Sequence, residues 1–82
     1  MDLIDLKELI KRLQISRSAI YAKMKAGLWP KAIKISPRAS RWFASEVEQM
    51  ILFMAAGPSD EQIRLKVASI HTSRQKNTSL SD

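Results

Sequence analysis

The chain has 82 residues, no Cys, one His and a formal net charge of +6 from 14 Lys/Arg against 8 Asp/Glu. This length allows one domain that buries about 60% of its unfolded surface; without Cys there are no disulfides or Cys-based zinc sites, and His71 alone cannot build a metal site. The longest apolar run, Met50 to Ala56, is too short to span a bilayer, and the acidic start Met1-Asp2-Leu3-Ile4-Asp5 has no basic n-region, so a reduced, cytoplasmic (nucleoid-associated) setting is expected, with no membrane, metal or cofactor.

Leu3-Ile4 is a short apolar lead-in. Asp5 is placed to cap a first helix, and Glu8 sits three residues on, as a capping box requires. Leu6, Leu9, Ile10 and Leu13 then recur at helical spacing, giving residues 6–14 one apolar face. After a break at Gln14-Ile15, Ser16 caps a second helix, Arg17 to Ala26, which Gly27 stops as the left-handed residue beyond its end. In this helix Ile20 and Met24 face inward. Ser18, Ala22 and Lys25 point outward, with Arg17 and Tyr21 along one flank. A turn of only a few residues between the two helices is helix-turn-helix spacing.

Leu28-Trp29-Pro30 leads out of the pair. Ala32 to Ile35 alternates, predicting a strand with Ile33 and Ile35 on one face and Lys34 on the other. Ser36-Pro37-Arg38-Ala39 is a turn, and Arg41-Trp42-Phe43 returns as the second strand of a two-stranded wing. A third helix is predicted from Ala44–Glu46 to about Ala55, with Val47, Met50, Ile51 and Met54 inward, Leu52 and Phe53 toward the other side, and Gly57-Pro58 as its stop. Ser59 and Gln62 form a second capping box for a last helix over about 60–71, with Ile63, Val67 and Ile70 on one face folding back on the third helix. From Thr72 the chain has little to bury, so residues 72–82 are expected to be a disordered, dispensable tail. The fold class is therefore mainly α with a small β-hairpin: a winged helix-turn-helix domain over 1–71 with an appended C-terminal helix.

The charge is uneven along this plan. Residues 1–42 hold ten Lys/Arg and three Asp/Glu, and residues 43–82 hold four and five. Between Leu9 and Ser45 there is no acid at all, while Lys11, Arg12, Arg17, Lys23, Lys25, Lys31, Lys34, Arg38 and Arg41 all fall there. A solvated surface mixes signs, whereas a one-signed face suits a polyanion, since each cation that neutralises a phosphate also releases a condensed counterion. The bland alternatives are a basic, soluble small protein and a solvated helix face at Arg17, Lys23 and Lys25.

The run Ile15-Ser16-Arg17-Ser18-Ala19-Ile20-Tyr21, then Gly27, Trp29-Pro30, Arg41-Trp42 and Glu46-Val47, resembles the AlpA family of phage and prophage regulators over about residues 3–56. These are similar in fold to the winged-helix DNA-binding domain of MerR proteins and to small phage excisionases. The resemblance implies a DNA-binding transcription regulator, a directionality factor that helps an integrase excise an element, or both. It also implies that the second helix is the recognition helix and that Ser36-Pro37-Arg38 is the wing tip. The chain departs from the family at Gln14, where Gly is frequent, and in the helix after Pro58, which extends beyond the usual core.

The expected chemistry follows. A major groove admits one helix, whose N-terminal residues reach base edges. Here Arg17 suits guanine, Ser18 and Tyr21 are adaptable polar contacts, Ala22 lets the helix sit deep or meets a thymine methyl, and Lys23 and Lys25 follow. Ser16 and the free N–H groups of the first turn suit a phosphate. Lys34, Ser36, Arg38 and Arg41 on the wing would meet backbone or an adjacent minor groove. Tyr21 either packs on the wing or bonds a phosphate, and Arg41 pairs either with phosphate or with Glu46 or Glu48. Trp29 and Trp42 read as core rather than stacking platforms, and His71 as a solvated helix end. Self-association on DNA, or docking on an integrase or RNA polymerase, would add discrimination to a single half-site. The competing class is a protein-interaction adaptor whose basic face meets an acidic partner such as an integrase. RNA binding is weaker because exposed aromatics are few, and enzyme chemistry lacks a residue set.

Overall fold

A computed structural model of the chain describes residues 2–79, with side chains described through Lys76. In chain order the elements are β1 (Leu3–Ile4), α1 (Leu6–Leu13), α2 (Arg17–Lys25), β2 (Ile33–Ser36), β3 (Ala39–Phe43), α3 (Ala44–Ala55) and α4 (Asp60–Ser79). The mainly helical winged helix-turn-helix expected from the sequence is the fold observed.

The helix ends follow from short-range chemistry. Asp5 Oδ1 accepts from the Glu8 N–H at 2.8 Å, while the Glu8 carboxylate turns to Arg12 Nε at 3.1 Å, so the predicted capping box is half made. Ser16 Oγ accepts from the Ala19 N–H at 3.1 Å. Gly27, at φ +80°, ends α2 in a Schellman motif: its N–H donates to the Met24 carbonyl and the Leu28 N–H to the Lys23 carbonyl. Ser59 and Gln62 exchange both bonds of a full capping box. At the end of α1 the left-handed position is filled by Gln14, at φ 54° and ψ 40°, whose N–H still reaches the Ile10 carbonyl at 2.7 Å. The tight turn that glycine would ease is thus made by an L-residue under backbone strain.

The wing is larger than the sequence suggests. β3 pairs antiparallel with β2 on one side and with β1 on the other, giving a three-stranded sheet in the order β1-β3-β2. Leu3 and Ile4 face Phe43 and Trp42 across the ladder, so the apolar lead-in is a strand. The tip residues Pro37 and Arg38 both have negative φ. Such an unprimed turn does not match the twist of the flanking strands, and a register shift between Lys34 and Ser36 leaves Ile35 as the extra residue of a bulge. The expectation that Ile33 and Ile35 share one face is therefore corrected: Ile33 is half-buried and Ile35 is 57% exposed.

Leu9, Ile20, Trp29, Trp42, Val47, Met50, Val67 and Ile70, with Ile4, form one core from all the helices and the sheet. Both tryptophans are buried, as read from the sequence, and Trp42 Nε1 donates to the Pro30 carbonyl at 3.0 Å. α4 folds back on α3 through Val67 and Ile70, and Phe53 lies half-buried beneath Lys66, whose Nζ is 5.8 Å from the ring centre.

The last helix departs most from expectation. It runs to Ser79, so residues 72–79 are helical where composition predicts a disordered tail; residues 80–82 lie outside those described. The physical reason is a long-range anchor. Arg74 grips the buried Glu46 carboxylate through Nε (3.0 and 3.1 Å) and Nη2 (2.6 Å), and its Nη1 donates to the Lys31 carbonyl at 2.9 Å. The Arg74 guanidinium also sits 6.0 Å from the Phe43 ring centre. His71 is consequently not a solvated helix end. It is half-buried in mid-helix, with Nε2 accepting from the Lys31 N–H at 3.0 Å. Burial, then the charges of Arg74 and Lys31, hold its pKa below the ordinary value, against an upward pull from Glu46.

Candidate nucleic-acid interface

α2 buries Ile20 and half-buries Met24, which leaves the opposite face to solvent. Ser16, Arg17, Ser18, Tyr21, Ala22 and Lys25 are all exposed, and Lys23 is half-buried. Tyr21 is 48% exposed, so about half of it is open to solvent. With Ala19 and Ile20 satisfied by Ser16, the Arg17 and Ser18 N–H groups stand outside the helix ladder, and the first turn carries no acid. This helix start therefore combines free donors, the positive end of a helix dipole and a guanidinium in one exposed place.

On the wing, Lys34, Ser36 and Arg38 are exposed, and Ser40 and Arg41 are half-buried. Lys34 Nζ donates to Ser40 Oγ at 3.1 Å, and Arg41 Nη1 donates to the Ser40 carbonyl at 2.9 Å, so two cations are drawn to one residue of β3. Neither candidate carboxylate binds Arg41: Glu46 is engaged by Arg74 instead. Among the described residues, the ion pairs are Arg12–Glu8 and Arg74–Glu46, and neither uses a cation of α2 or the wing. Among the described residues, no carboxylate pairs with the exposed positive charge of this face.

α4 supports that face from behind. Arg64 Nε donates to the Ala26 carbonyl at 3.0 Å, at the carboxyl end of α2, where a cation also complements the helix dipole. About two and three turns later, His71 and Arg74 hold the backbone of Lys31 from its N–H and its carbonyl. These positioning residues carry no local signal, since each bond spans 38 to 43 positions along the chain.

A family model described as prophage CP4-57 regulatory protein (AlpA) matches residues 2–53. This chain belongs to the AlpA family. The AlpA match takes in β1 through nearly all of α3 and so includes every candidate contact residue from Ser16 to Arg41, while α4 lies beyond it. No curated protein matches the chain. The family assignment makes this a phage regulatory protein. Among the described residues, no cluster of His, Asp or Glu is arranged to hold a metal, and no helix is long and apolar enough to cross a membrane.

Proposed function

We propose that the chain is a sequence-specific duplex-DNA-binding regulator of a phage or integrative element, acting as a transcription regulator, a recombination directionality factor (excisionase), or both. It acts by binding rather than by catalysis, in the cytoplasm on nucleoid DNA. α2 enters the major groove. Arg17 and Ser18 read base edges, Ala22 permits close approach, and Ser16, Tyr21, Lys23 and Lys25 hold the flanking backbone. The wing carries Lys34, Ser36, Arg38 and Arg41 to the next stretch of backbone or to the adjacent minor groove. This docking follows the fold that the AlpA resemblance implies, that of MerR-like winged helices and small excisionases. One observation carries the reading: the exposed faces of α2 and the wing bear cations that no carboxylate of the described fold offsets. Self-association on the duplex would multiply the discrimination of one half-site, and integrase or RNA polymerase are the protein partners to examine.

A competitive gel shift across a salt series tests this, using promoter DNA of the element that encodes the chain, its attachment region and a scrambled duplex. Preference for the promoter supports transcription control, and preference for the attachment region supports excision. Absence of salt-sensitive binding to every duplex overturns the proposal and favours an adaptor that docks its basic face on an acidic protein partner such as an integrase.

A further inference from the structure

We propose that Ile35 is an apolar wedge, which the wing presses into the minor groove and which bends the duplex there; this rests on the DNA-binding reading above. β2 is an edge strand of the sheet, and Ile35 is its unpaired bulge residue, 57% exposed. Strand alternation alone would have placed it on the same face as half-buried Ile33. A bulge re-aims a side chain, and bulges recur where proteins meet ligands. Single exposed apolar residues are ordinary on protein surfaces, but this one has a specific setting. Exposed Lys34 precedes it, and exposed Ser36, Pro37 and Arg38 follow.

Lys34 and Arg38 therefore lie on either side of Ile35 in the chain, and cations seek phosphates. A segment whose two flanks bind phosphates has its middle over a groove. The deoxyribose edges that wall the minor groove offer C–H surface, which a branched aliphatic side chain covers without leaving a polar group unpaired. Isoleucine and proline both serve as wedges that part a base step and kink the duplex. Ile35 and Pro37 place two such side chains within three positions of the wing tip. Of the other exposed apolar side chains, Leu52 on α3 has no neighbouring cation in the chain, and the cations beside Leu65 on α4 are turned to the fold, Arg64 to the Ala26 carbonyl and Lys66 over the Phe53 ring. Parting a step is easiest at pyrimidine–purine steps, so the wedge would add sequence preference at a position that no hydrogen bond reads.

The test uses the full chain and the duplex it prefers in the gel shift, labelled at both ends for energy transfer. Wild type is expected to shorten the end-to-end distance. Ile35→Ser is expected to lose about half of the bend or more and to bind roughly 5–10-fold more weakly. The salt slope should stay unchanged, because the phosphate contacts remain. Ile35→Leu should retain the bend. Replacing a TA step beneath the wing by a stiff A-tract should weaken wild type more than Ile35→Ser. A thermal melt confirms that the serine variant folds; should it not, Ile35→Thr keeps the β-branched shape and takes its place. Full bending by the folded polar variant at saturation overturns the inference and leaves the DNA reading intact. Failure of wild type to bind any duplex overturns both, and is recognised before bending is measured.

Discussion

Replacing Arg74 by Met isolates the contact that orders the end of α4. The substitution keeps helix propensity and much of the volume, but removes three bonds to Glu46 and one to the Lys31 carbonyl. Removing one partner of a buried ion pair costs about 3–5 kcal/mol, while an exposed pair contributes roughly 0.2–1 kcal/mol. The Arg74 and Glu46 side chains are 18% and 12% exposed, nearer the buried limit, so about 2–3 kcal/mol is expected. Unfolding entropy near 2.1 cal/mol/K per residue gives about 0.17 kcal/mol/K for 82 residues, hence a fall in Tm of roughly 12–18 °C. The assay is thermal and urea denaturation followed by circular dichroism. Much of the loss should come from the carboxylate stranded on α3, so adding Glu46→Met to Arg74→Met should recover about half of it. A single-variant loss below about 0.5 kcal/mol, or strictly additive losses in the double variant, would refute the assignment of Arg74 as a structural anchor.

Four further outcomes are expected. Arg17→Ala should abolish sequence preference in a gel shift while leaving a cooperative melt; unchanged preference would remove Arg17 from the base-reading set. Arg38→Ala should weaken all duplexes about equally and shallow the salt slope by about one unit, whereas a sequence-dependent loss would assign it a base contact. The folded chain holds a proton on His71 less readily than the unfolded chain, because burial and the cations Arg74 and Lys31 lower its pKa from the ordinary 6.5. Its stabilising effect is therefore full above about pH 6.5 and is lost as pH falls below it, so Tm should drop more between pH 7.5 and 5.5 for wild type than for His71→Gln. Equal drops would show that His71 does not couple protonation to folding. Gln14→Gly should stabilise by about 0.5 kcal/mol in urea denaturation, because relief of the left-handed backbone outweighs the extra freedom of the unfolded chain; destabilisation would show that the Gln14 side chain has value the backbone angle conceals.

What the sequence made legible was local. The caps at Asp5, Ser16 and Ser59 and the stop at Gly27 act within a few residues, and each is found where the residue types put it. The inward residues of α1 and α2 needed only helical periodicity; on α3 the same periodicity placed Val47, Met50 and Met54, but Ile51, expected inward, is 40% exposed, and Phe53, expected toward the other side, is half-buried. The exposed face of α2 followed from the same wheel, which is why its candidate residues remain at the surface. The features that were not legible depend on partners distant in sequence. Two residues cannot announce a strand, and β1 exists because Leu3 and Ile4 meet Phe43 and Trp42. The polar stretch after Thr72 buries little by composition, yet Arg74 finds its carboxylate 28 positions away. The outward turn of Ile35 arises from the twist mismatch at the Pro37-Arg38 turn, which alternation along one strand does not encode.

The short passage between α2 and the wing is fastened on several sides. Trp42 holds the Pro30 carbonyl, and His71 and Arg74 hold the two polar groups of the Lys31 backbone. Under the proposed function this makes the head a caliper with fixed jaws. The separation and angle between helix and wing are set before any duplex arrives, so little ordering remains to be done on contact. The operator must then match the tool. Adding one base pair between the helix-read segment and the wing-read segment would rotate them by about a tenth of a turn, and neither jaw could follow.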